Sequence, residues 1–305
     1  MSTLAKVDLF NVKIEQEAWE IGEAFLKSIL FEVSAYPKPG LVCSGSAGSH
    51  QDMNILTFMA SSATIGPAFY LCAQAGRSHA GAIKDLLPKL RKIGLVYERK
   101  LLEATKGINT QRGLLFAAGL TCGVAGYLSQ RHSNFRAEEI CTAMSEMTEG
   151  IVQRELVNIK KAAKDKLTAG EQLYLAYKVT GIRGEVEAGL PAVKNAGLPA
   201  LKAAIQEGYR LNDCLVHILI SLMTCVEDTT ILWRKGQATL KKVQDWSQKV
   251  LNKGSVFTPE GWQEIYKMEE HFLQENISPG GSADLLAITI GLYLLENKQL
   301  PVAIL

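Results

Sequence analysis

The sequence has little that would tie the chain to nucleic acid, to a membrane surface or to the extracellular medium. Its 33 Lys and Arg exceed its 31 Asp and Glu by two, so any anionic ligand must be held by a local site. Its six cysteines form no CxxC pair, which favours a reducing cytosol without structural zinc or disulfides. The N-terminal segment lacks the basic start, apolar run and cleavage site of a signal peptide. We therefore expect a cytoplasmic protein with no nucleic-acid partner.

Several common motifs are also missing. There is no GxxxxGK[ST] loop, no GxGxxG after a strand, no HExxH and no GxSxG, which removes the most frequent nucleotide, zinc and acyl-transfer interpretations. No Pro-rich, Gly/Ser-rich or highly charged linker divides the chain. Two uncharged stretches, 54–76 and 113–130, are long enough to cross a bilayer, but their Asn, Thr, Ser and Gly content is typical of closely packed helices inside a protein. We expect no membrane partner.

Apolar residues recur at helical spacing along nearly the whole chain. Ala18, Ile21, Phe25 and Ile29 form one such series, and no alternating strand pattern persists for more than a few residues. The sequence therefore predicts an all-α protein, a single compact multi-helix domain over residues 1–305 with a short N-terminal extension of about 1–14. The expected helices cover 15–34, 50–75, 80–104, 111–130, 136–165, 168–178, 197–207, 210–228, 237–252, 259–276 and 282–297.

Three Gly-rich turns are candidates for binding phosphate. GSAGSHQDM (45–53), GINTQRGLLF (107–116) and SPGGSADLL (278–286) each place a small hydroxyl residue before a helix. Free backbone N–H groups at such helix starts can hold an anion. One such turn alone would mean little.

Helix capping is the competing explanation for these turns. The residues placed for capping are Ser49 with Asp52, Thr110 and Ser282. Lys38 before the first turn and Lys106 with Arg112 around the second favour a bound polyanion, because a cation near a helix N-terminus opposes the helix dipole.

The expected helix at 210–228 carries a polar stripe on an otherwise apolar surface. The stripe consists of Asp213, His217, Ser221, Thr224, Glu227 and Asp228. Because it contains no Lys, Arg or Gln, it favours lining a cavity over facing solvent. His217 taken alone is better explained as a hydrogen-bonded core histidine. Glu227 with Asp228 at the helix end favours a bound cation, because the helix dipole disfavours adjacent acids there.

Two further polar groups depend on the backbone that carries them. A second stripe is expected on the helix at 50–75, where it comprises His50, Asn54, Thr57 and Ser61. Glu185 and Glu187 would lie about 200° apart in a helix but on one side of an extended segment. Arg183 beside Glu185 is explained equally well by a surface ion pair.

Five segments, in this order, resemble the triphosphoribosyl-dephospho-CoA synthase family. They are EVSAYPKPGLVCSGSAGSHQDM (32–53), ATKGINTQRGLLFAAGL (104–120), GIRGEVEAGLP (181–191), EDTTIL (227–232) and SPGGSADLLA (278–287). The resemblance implies transfer of the 5-triphosphoribosyl group of ATP to the ribose 2′-hydroxyl of 3′-dephospho-CoA, with release of adenine. It implies that the product passes to a transferase that loads the acyl carrier protein of citrate lyase or malonate decarboxylase, and the sequence does not choose between these two.

The resemblance also implies residues for each chemical role. Such a reaction needs a carboxylate beside an oxocarbenium-like centre, a base, a proton donor for adenine, and Mg²⁺ with cations for the triphosphate. The catalytic candidates are Glu185, Glu187 and His50. The nucleotide and phosphate candidates are Lys38, Ser49, Asn109, Thr110, Arg112, Arg183, Gly280, Gly281 and Ser282. The Mg²⁺ candidates are Asp52, Glu227, Asp228 and Asp284.

Two segments depart from the pattern expected of the family. Gln111 and Arg112 stand where His-Lys is expected, and Thr230 stands where Asn is expected. Gln111 cannot titrate, so either a proton-donor role would move elsewhere, with His50 as one candidate, or activity would be impaired. Two other functions stay open: a Mg²⁺-dependent nucleotide or ADP-ribosyl hydrolase, and a catalytically silent nucleotide-binding protein. The oligomeric state is open as well, a homodimer being one option.

Overall fold

The structure is a computed structural model that describes residues 13–132, 134–158 and 167–300. Within these ranges the secondary structure is helical, apart from one isolated antiparallel bridge between Cys43 and Ser46. The helices are α1 (Gln16–Ser34), α2 (Ile55–Arg77), α3 (Leu87–Ala104), α4 (Arg112–Leu128), α5 (Ala137–Thr148), α6 (Ala169–Tyr177), α7 (Gly181–Glu187), α8 (Leu198–Gln206), α9 (Leu211–Met223), α10 (Thr229–Lys235), α11 (Gln237–Asn252), α12 (Pro259–Glu275) and α13 (Gly280–Asn297). The all-α prediction is confirmed. The expected N-terminal extension lies outside the described residues, except for residues 13 and 14.

One hydrophobic core joins these helices. α2 packs against α1, α3 and α4, and α13 packs against α1, α4 and α9. Phe25, Ile65, Leu114 and Ile290 are fully buried members of the same apolar cluster. Burial of apolar surface contributes roughly 25 cal/mol per Å², so a shared cluster makes the helices one stability unit. The described residues thus form the single multi-helix domain that the sequence predicts.

Small residues let α2 and α4 pack backbone against backbone. A β-carbon at Gly76 would lie 1.9 Å from the Gly123 carbonyl oxygen, and one at Gly126 would lie 2.0 Å from the Ala73 carbonyl oxygen. This close approach explains the Gly and Ala content of the two uncharged stretches. α2 is long enough to span a membrane, and the mean hydropathy of its most apolar window is 1.4. In the structure it nevertheless packs against three other helices.

Two expected helices end earlier than predicted. The helix expected at 136–165 ends at Thr148, because Gly150 follows with a φ of +75°, a left-handed conformation that favours glycine. A turn of π-helix then covers Gln153–Val157, and residues 159–166 of that prediction lie outside the described ones. The helix expected at 210–228 ends at Met223. The sequence also missed α7 and α10, since helices of seven residues are too short to show a helical period.

The capping box predicted for Ser49 and Asp52 is wrong. α2 begins after Asn54, whose side chain accepts hydrogen bonds from the N–H groups of the first turn. Residues 49–53 therefore belong to a loop. The Ser49 hydroxyl lies within hydrogen-bond distance of the carbonyl oxygens of Phe272 (2.9 Å) and Ile277 (2.7 Å), so it ties this loop to the end of α12.

The other two predicted caps are also wrong, because each hydroxyl is used elsewhere. Thr110 lies one residue before Gln111, the residue that precedes α4, and its hydroxyl donates to the Ser61 hydroxyl over 2.8 Å. Ser282 lies inside α13, and its hydroxyl donates to Asp228 over 3.0 Å. None of the three turns therefore owes its hydroxyl residue to helix capping.

Candidate active site

The first turns of α4, α10 and α13 surround a cavity of about 420 Å³, which we call the first cavity. The rest of its wall comes from the loop before α2, the segment before α4, the first turn of α6 and single residues of α1 and α2. The first backbone N–H groups of a helix have no partner within the helix and lie at its positive end, so such a wall suits an anion. The structure thus brings all three predicted Gly-rich turns to one place.

A second cavity, of about 450 Å³, adjoins the first. α7 and the loop at 225–227 form its outer walls. The two cavities share Gly113, Thr229, Gly281 and Asp284. Two substrates bound in neighbouring cavities would meet at this shared wall.

Asp284 is the only carboxylate in the shared wall. Burial raises its pKa well above the ordinary value of 3.8, and the negative charges of Glu32 and Asp228 raise it further. It is enclosed by protein yet keeps accessible surface, because it faces the cavities. The site therefore disfavours its negative charge until a cation, or a developing positive charge, comes near.

Lys38 lies in the first cavity as part of a buried ion pair with Glu32. The two residues are only 1% and 3% exposed. Burial raises the pKa of Glu32, and the Lys38 ammonium opposes that rise. The sequence predicted Lys38 but missed Glu32, which has the pattern of an ordinary α1 residue and is recognisable only from its burial.

His50 is held as a neutral ring at the edge of the first cavity. Its Nδ1 lies 3.2 Å from the Arg234 guanidinium, which can only donate, and its Nε2 lies 2.9 Å from the Ser278 hydroxyl. Burial lowers the pKa of His50, the Arg234 charge lowers it further, and the Asp52 carboxylate, with an oxygen 3.8 Å from Nδ1, opposes this. The proton therefore lies on Nε2, and the ring suits a fixed hydrogen-bond donor better than an acid that protonates adenine.

Asp228 holds the starts of two helices together. One carboxylate oxygen accepts the N–H groups of Thr230 (3.0 Å) and Ile231 (3.3 Å), which caps α10. The other oxygen accepts the N–H (2.8 Å) and hydroxyl (3.0 Å) of Ser282 in α13. The predicted explanation, an acid disfavoured at a helix C-terminus, is wrong, because Asp228 lies at a helix N-terminus. Its four lone-pair positions are used, so a metal ion would have to displace one of these donors.

A chain of hydroxyl groups ends at Gln111 in the first cavity. Thr110 donates to Ser61, and the hydroxyls of Ser61 and Ser62 both donate to Gln111 Oε1, the latter over 3.3 Å. Gln111 is 2% exposed, and its Nε2 is the only buried side-chain N or O atom of the described residues that lacks a partner. The departure noted in the sequence is thus a buried hydrogen-bond donor at the cavity.

The remaining phosphate candidates differ in position. Asn109 and Arg112 line the first cavity, where the Asn109 side chain accepts the Arg112 N–H over 3.4 Å. The Arg112 guanidinium also pairs with Glu98. Gly280 and Gly281 line the same cavity. Ser49 and Ser282 line neither cavity.

Glu185 belongs to the second cavity. Burial raises its pKa, the Ala192 N–H at 3.3 Å lowers it, and the charge of Glu227 in the same cavity raises it. Glu227 itself is exposed. Since residues 181–187 are helical, Glu187 lies on another face of α7 and lines neither cavity. Arg183 pairs with Glu155 over 2.8 Å rather than with Glu185.

The members of the polar stripe that lie in α9 line neither cavity, and only Glu227, beyond the end of that helix, reaches the second cavity. The cavity interpretation is therefore wrong for the helix itself. His217 lies in the core, with its Nδ1 2.8 Å from the Ser255 hydroxyl, as expected for a core histidine. Burial lowers its pKa to about 4. The Ser221 hydroxyl donates to the His217 carbonyl over 2.8 Å, so the stripe satisfies its own hydrogen bonds.

Acidic groups in the described ranges do not form a ready-made metal cluster of three or more ligands. Of the four predicted metal ligands, Asp52 and Asp284 line the first cavity and Glu227 and Asp284 line the second. The Asp52 side chain is 56% exposed. The sequence missed Trp233, a 52% exposed indole in the wall of the first cavity, because it could not show that α10 reaches this place.

A helical fold with two joined cavities, cationic side chains, helix N-termini in the cavity wall and a carboxylate at the junction suits an enzyme of phosphorylated small molecules. Comparison with known proteins gives the family. Residues 18–301 match the family model for ATP:dephospho-CoA triphosphoribosyl transferase. The chain belongs to this family.

Named relatives agree over most of their length. The chain is 47% identical to the "Probable 2-(5''-triphosphoribosyl)-3'-dephosphocoenzyme-A synthase" of Malonomonas rubra, over 95% of this chain and 92% of the relative. It is 39% identical to the 2-(5''-triphosphoribosyl)-3'-dephosphocoenzyme-A synthase of Pectobacterium atrosepticum, over 90% of this chain and 88% of the relative. The protein of the same name from Klebsiella pneumoniae is 35% identical, over 89% of each chain. These matches do not support the hydrolase or the silent nucleotide-binding protein.

Proposed function

We propose that this chain transfers the 5-triphosphoribosyl group of ATP to the ribose 2′-hydroxyl of 3′-dephospho-CoA and releases adenine. The observation that carries the proposal is the position of Asp284 in the wall shared by the two cavities. ATP occupies the first cavity, and the acceptor ribose reaches the shared wall through the second.

The reaction exchanges one bond at C1′ of the ATP ribose for another. The bond from C1′ to adenine N9 breaks, and a bond from C1′ to the 2′-oxygen of dephospho-CoA forms. The hydroxyl proton passes to a base, and the departing adenine, which keeps the bonding electron pair, takes up a proton from water. Positive charge develops on the ribose in such a transition state, so an anionic group at C1′ stabilises it more than it stabilises the substrates.

Asp284 supplies that anionic group, because its carboxylate is destabilised as an anion in the free site and is favoured once positive charge appears beside it. Glu185 accepts the hydroxyl proton in the second cavity, since its raised pKa makes it a stronger base than an ordinary glutamate. Lys38, Arg112 and the first turn of α13 hold the triphosphate. His50 positions this turn through Ser278.

Mg²⁺ accompanies ATP in this proposal. Asp52 has an accessible carboxylate in the first cavity, and Mg²⁺ in proteins commonly takes one or two carboxylates together with substrate phosphates. One such carboxylate fits this pattern without a dedicated metal cluster. When bound, the ion would neutralise charge on the triphosphate.

The wider setting is also part of the proposal. The enzyme acts in the cytoplasm and passes its product to a transferase that loads an acyl carrier protein. Analytical ultracentrifugation of the purified protein decides between a monomer and the homodimer that the sequence leaves open.

The test is an adenine-release assay. Purified protein is incubated with ATP, Mg²⁺ and dephospho-CoA, and adenine is followed by chromatography. We expect adenine in amounts equal to the new coenzyme product, and none when the acceptor is omitted. CoA, which carries an additional 3′-phosphate beside the attacking hydroxyl, serves as the control and should react poorly. Adenine release at the same rate without an acceptor would make the protein a hydrolase.

A further inference from the structure

The Gln111 side-chain amide has an unpaired donor in a buried place. Gln111 is 2% exposed and lines the first cavity, and its Nε2 has no hydrogen-bond partner among the described residues. A buried donor left unpaired costs about 1–3 kcal/mol. Such a group needs an explanation, and a ligand that accepts its hydrogen bond is one.

Hydroxyl groups contact the carbonyl end of the Gln111 amide. Ser61 and Ser62 both donate to Oε1, and Ser61 receives the Thr110 hydroxyl over 2.8 Å. Because Ser61 already accepts from Thr110, its own proton is free to go to Gln111. The carbonyl end of the amide lies toward the serines, and the NH₂ end is left without a partner among the described residues.

The surroundings of Gln111 suit a flat heterocycle next to phosphates. Arg112 follows it directly in the wall of the first cavity. Phe58 and Leu114 supply apolar surface in the same wall. Adenine has ring nitrogens that accept hydrogen bonds and apolar faces that such side chains can cover.

We infer that Gln111 donates a hydrogen bond from Nε2 to a ring nitrogen of the adenine that leaves, an inference that rests on the proposed function. As the C1′–N9 bond breaks, its electron pair enters the adenine ring, and the ring nitrogens become stronger acceptors. The hydrogen bond is therefore stronger in the transition state than in bound ATP, so it acts on kcat more than on KM. Gln111 cannot deliver a proton itself, and its role is to stabilise the departing base by a hydrogen bond.

The experiment pairs a variant with altered substrates. Wild type and Gln111→Met are compared on ATP and on 1-deaza-, 3-deaza- and 7-deaza-ATP, each of which replaces one ring nitrogen with C–H. For each analogue, the kcat ratio of ATP to analogue in the wild type is divided by the same ratio in the variant. This quotient cancels the intrinsic effect of the analogue on adenine departure.

We expect a quotient of about three to ten for one analogue and about one for the other two, as the loss of one neutral hydrogen bond predicts. Gln111→Glu, whose ionised side chain keeps an acceptor for the serines but has no NH₂, should give the same pattern and replaces Gln111→Met if that variant unfolds. A quotient near one for all three analogues overturns the inference.

Gln74→Met is the matched control. Gln74 is also a buried amide, but its Nε2 donates to Glu15 (3.1 Å) and Ser78 (2.8 Å), and it lines neither cavity. This variant should keep the wild-type ratio for every analogue. If wild type releases no adenine from ATP with dephospho-CoA, the proposed function itself fails. If wild type is active and the quotients are all near one, only the role of Gln111 fails.

Discussion

Gly113 lies directly against the carboxylate of Asp284: a β-carbon at Gly113 would come within 2.2 Å of Asp284 Oδ2. Gly113 is the second residue of α4, and Asp284 is in the first turns of α13. The two residues belong to the wall shared by both cavities. The missing side chain at Gly113 therefore makes the space in which the Asp284 carboxylate stands between the two proposed substrates.

Gly113→Ala should lower the rate of adenine release by at least about tenfold, because the new methyl group forces the Asp284 carboxylate away from the junction. Steady-state kinetics with ATP and dephospho-CoA measure the effect. Gly119→Ala in the same helix is the control, since its β-carbon would lie at an ordinary 3.5 Å from Cys72 Sγ. The control should keep its activity. Equal activities for the two variants would show that the contact has no functional role.

Glu185→Gln should abolish adenine release while the free energy of unfolding stays within about 1 kcal/mol of wild type. The fold should tolerate the change because the burial that raises the pKa of Glu185 already disfavours its charge. Glu187→Gln should remain active, since Glu187 lines neither cavity. Chemical unfolding and the adenine assay are run on both variants. The opposite pattern of activities would transfer the role to Glu187.

Lys38→Met should destabilise the protein by about 3–5 kcal/mol, because it leaves the Glu32 carboxylate buried without its partner. The double variant Glu32→Gln with Lys38→Met should recover most of that stability. Its KM for ATP should nevertheless stay raised by about tenfold if Lys38 binds phosphate. Restoration of both stability and KM in the double variant would mean that Lys38 serves the fold alone.

Glu269 should make the fold less stable as the pH rises toward neutrality. Burial raises its pKa from 4.5 to about 7, although the Gly40 N–H and the Lys38 charge oppose the rise. Between these two pKa values the folded state binds more protons than the unfolded chain, so the free energy of unfolding falls with rising pH and then levels off. Each pKa unit corresponds to about 1.4 kcal/mol, so the interval from 4.5 to about 7 makes the change roughly 3–4 kcal/mol.

Glu269→Gln should therefore be more stable than wild type at pH 8 and show a smaller slope between about pH 4.5 and 7. Its amide oxygen can still accept the Gly40 N–H, a bond of 3.0 Å in the structure. Urea unfolding of both proteins in buffers from about pH 5 to 8 provides the measurement. An unchanged slope in the variant would show that Glu269 titrates normally.

Glu264→Gln is the control of opposite sign. Burial alone would raise the pKa of Glu264, but hydrogen bonds from Lys249, Lys253 and Trp246 outweigh it and lower the pKa to about 2. Its stabilisation is complete above the ordinary pKa of 4.5 and is lost as the pH falls toward 2. This variant should be less stable than wild type at neutral pH without a change in slope between pH 5 and 8.

The long helices could be predicted from the sequence because a helical period repeats within them. α1, α4, α11 and α13 each begin within two residues of the predicted start. The short helices could not be predicted, and for this reason Asp228 was placed at the wrong end of a helix. The sequence shows adjacent acids after an apolar run, but it does not show that α9 ends at Met223.

The sequence predicted which segments form the candidate site better than it predicted the role of each side chain. The three Gly-rich turns meet at one cavity, as two or more phosphate-binding turns should. Glu32 and Gln111 are buried in the wall of the first cavity beside residues that are distant in the sequence. The side chains of Ser49 and Glu187 line neither cavity. Such information depends on packing between helices, which no local pattern contains.

The most direct test of the account is Asp284→Asn, measured for turnover and for binding of each substrate. Asn has a similar shape without the charge, so the fold and the two dissociation constants should stay within about threefold of wild type. The rate of adenine release should fall by about a hundredfold or more, since the stabilising charge at C1′ is lost. Turnover equal to wild type would contradict the claim that the reaction takes place where the two cavities meet.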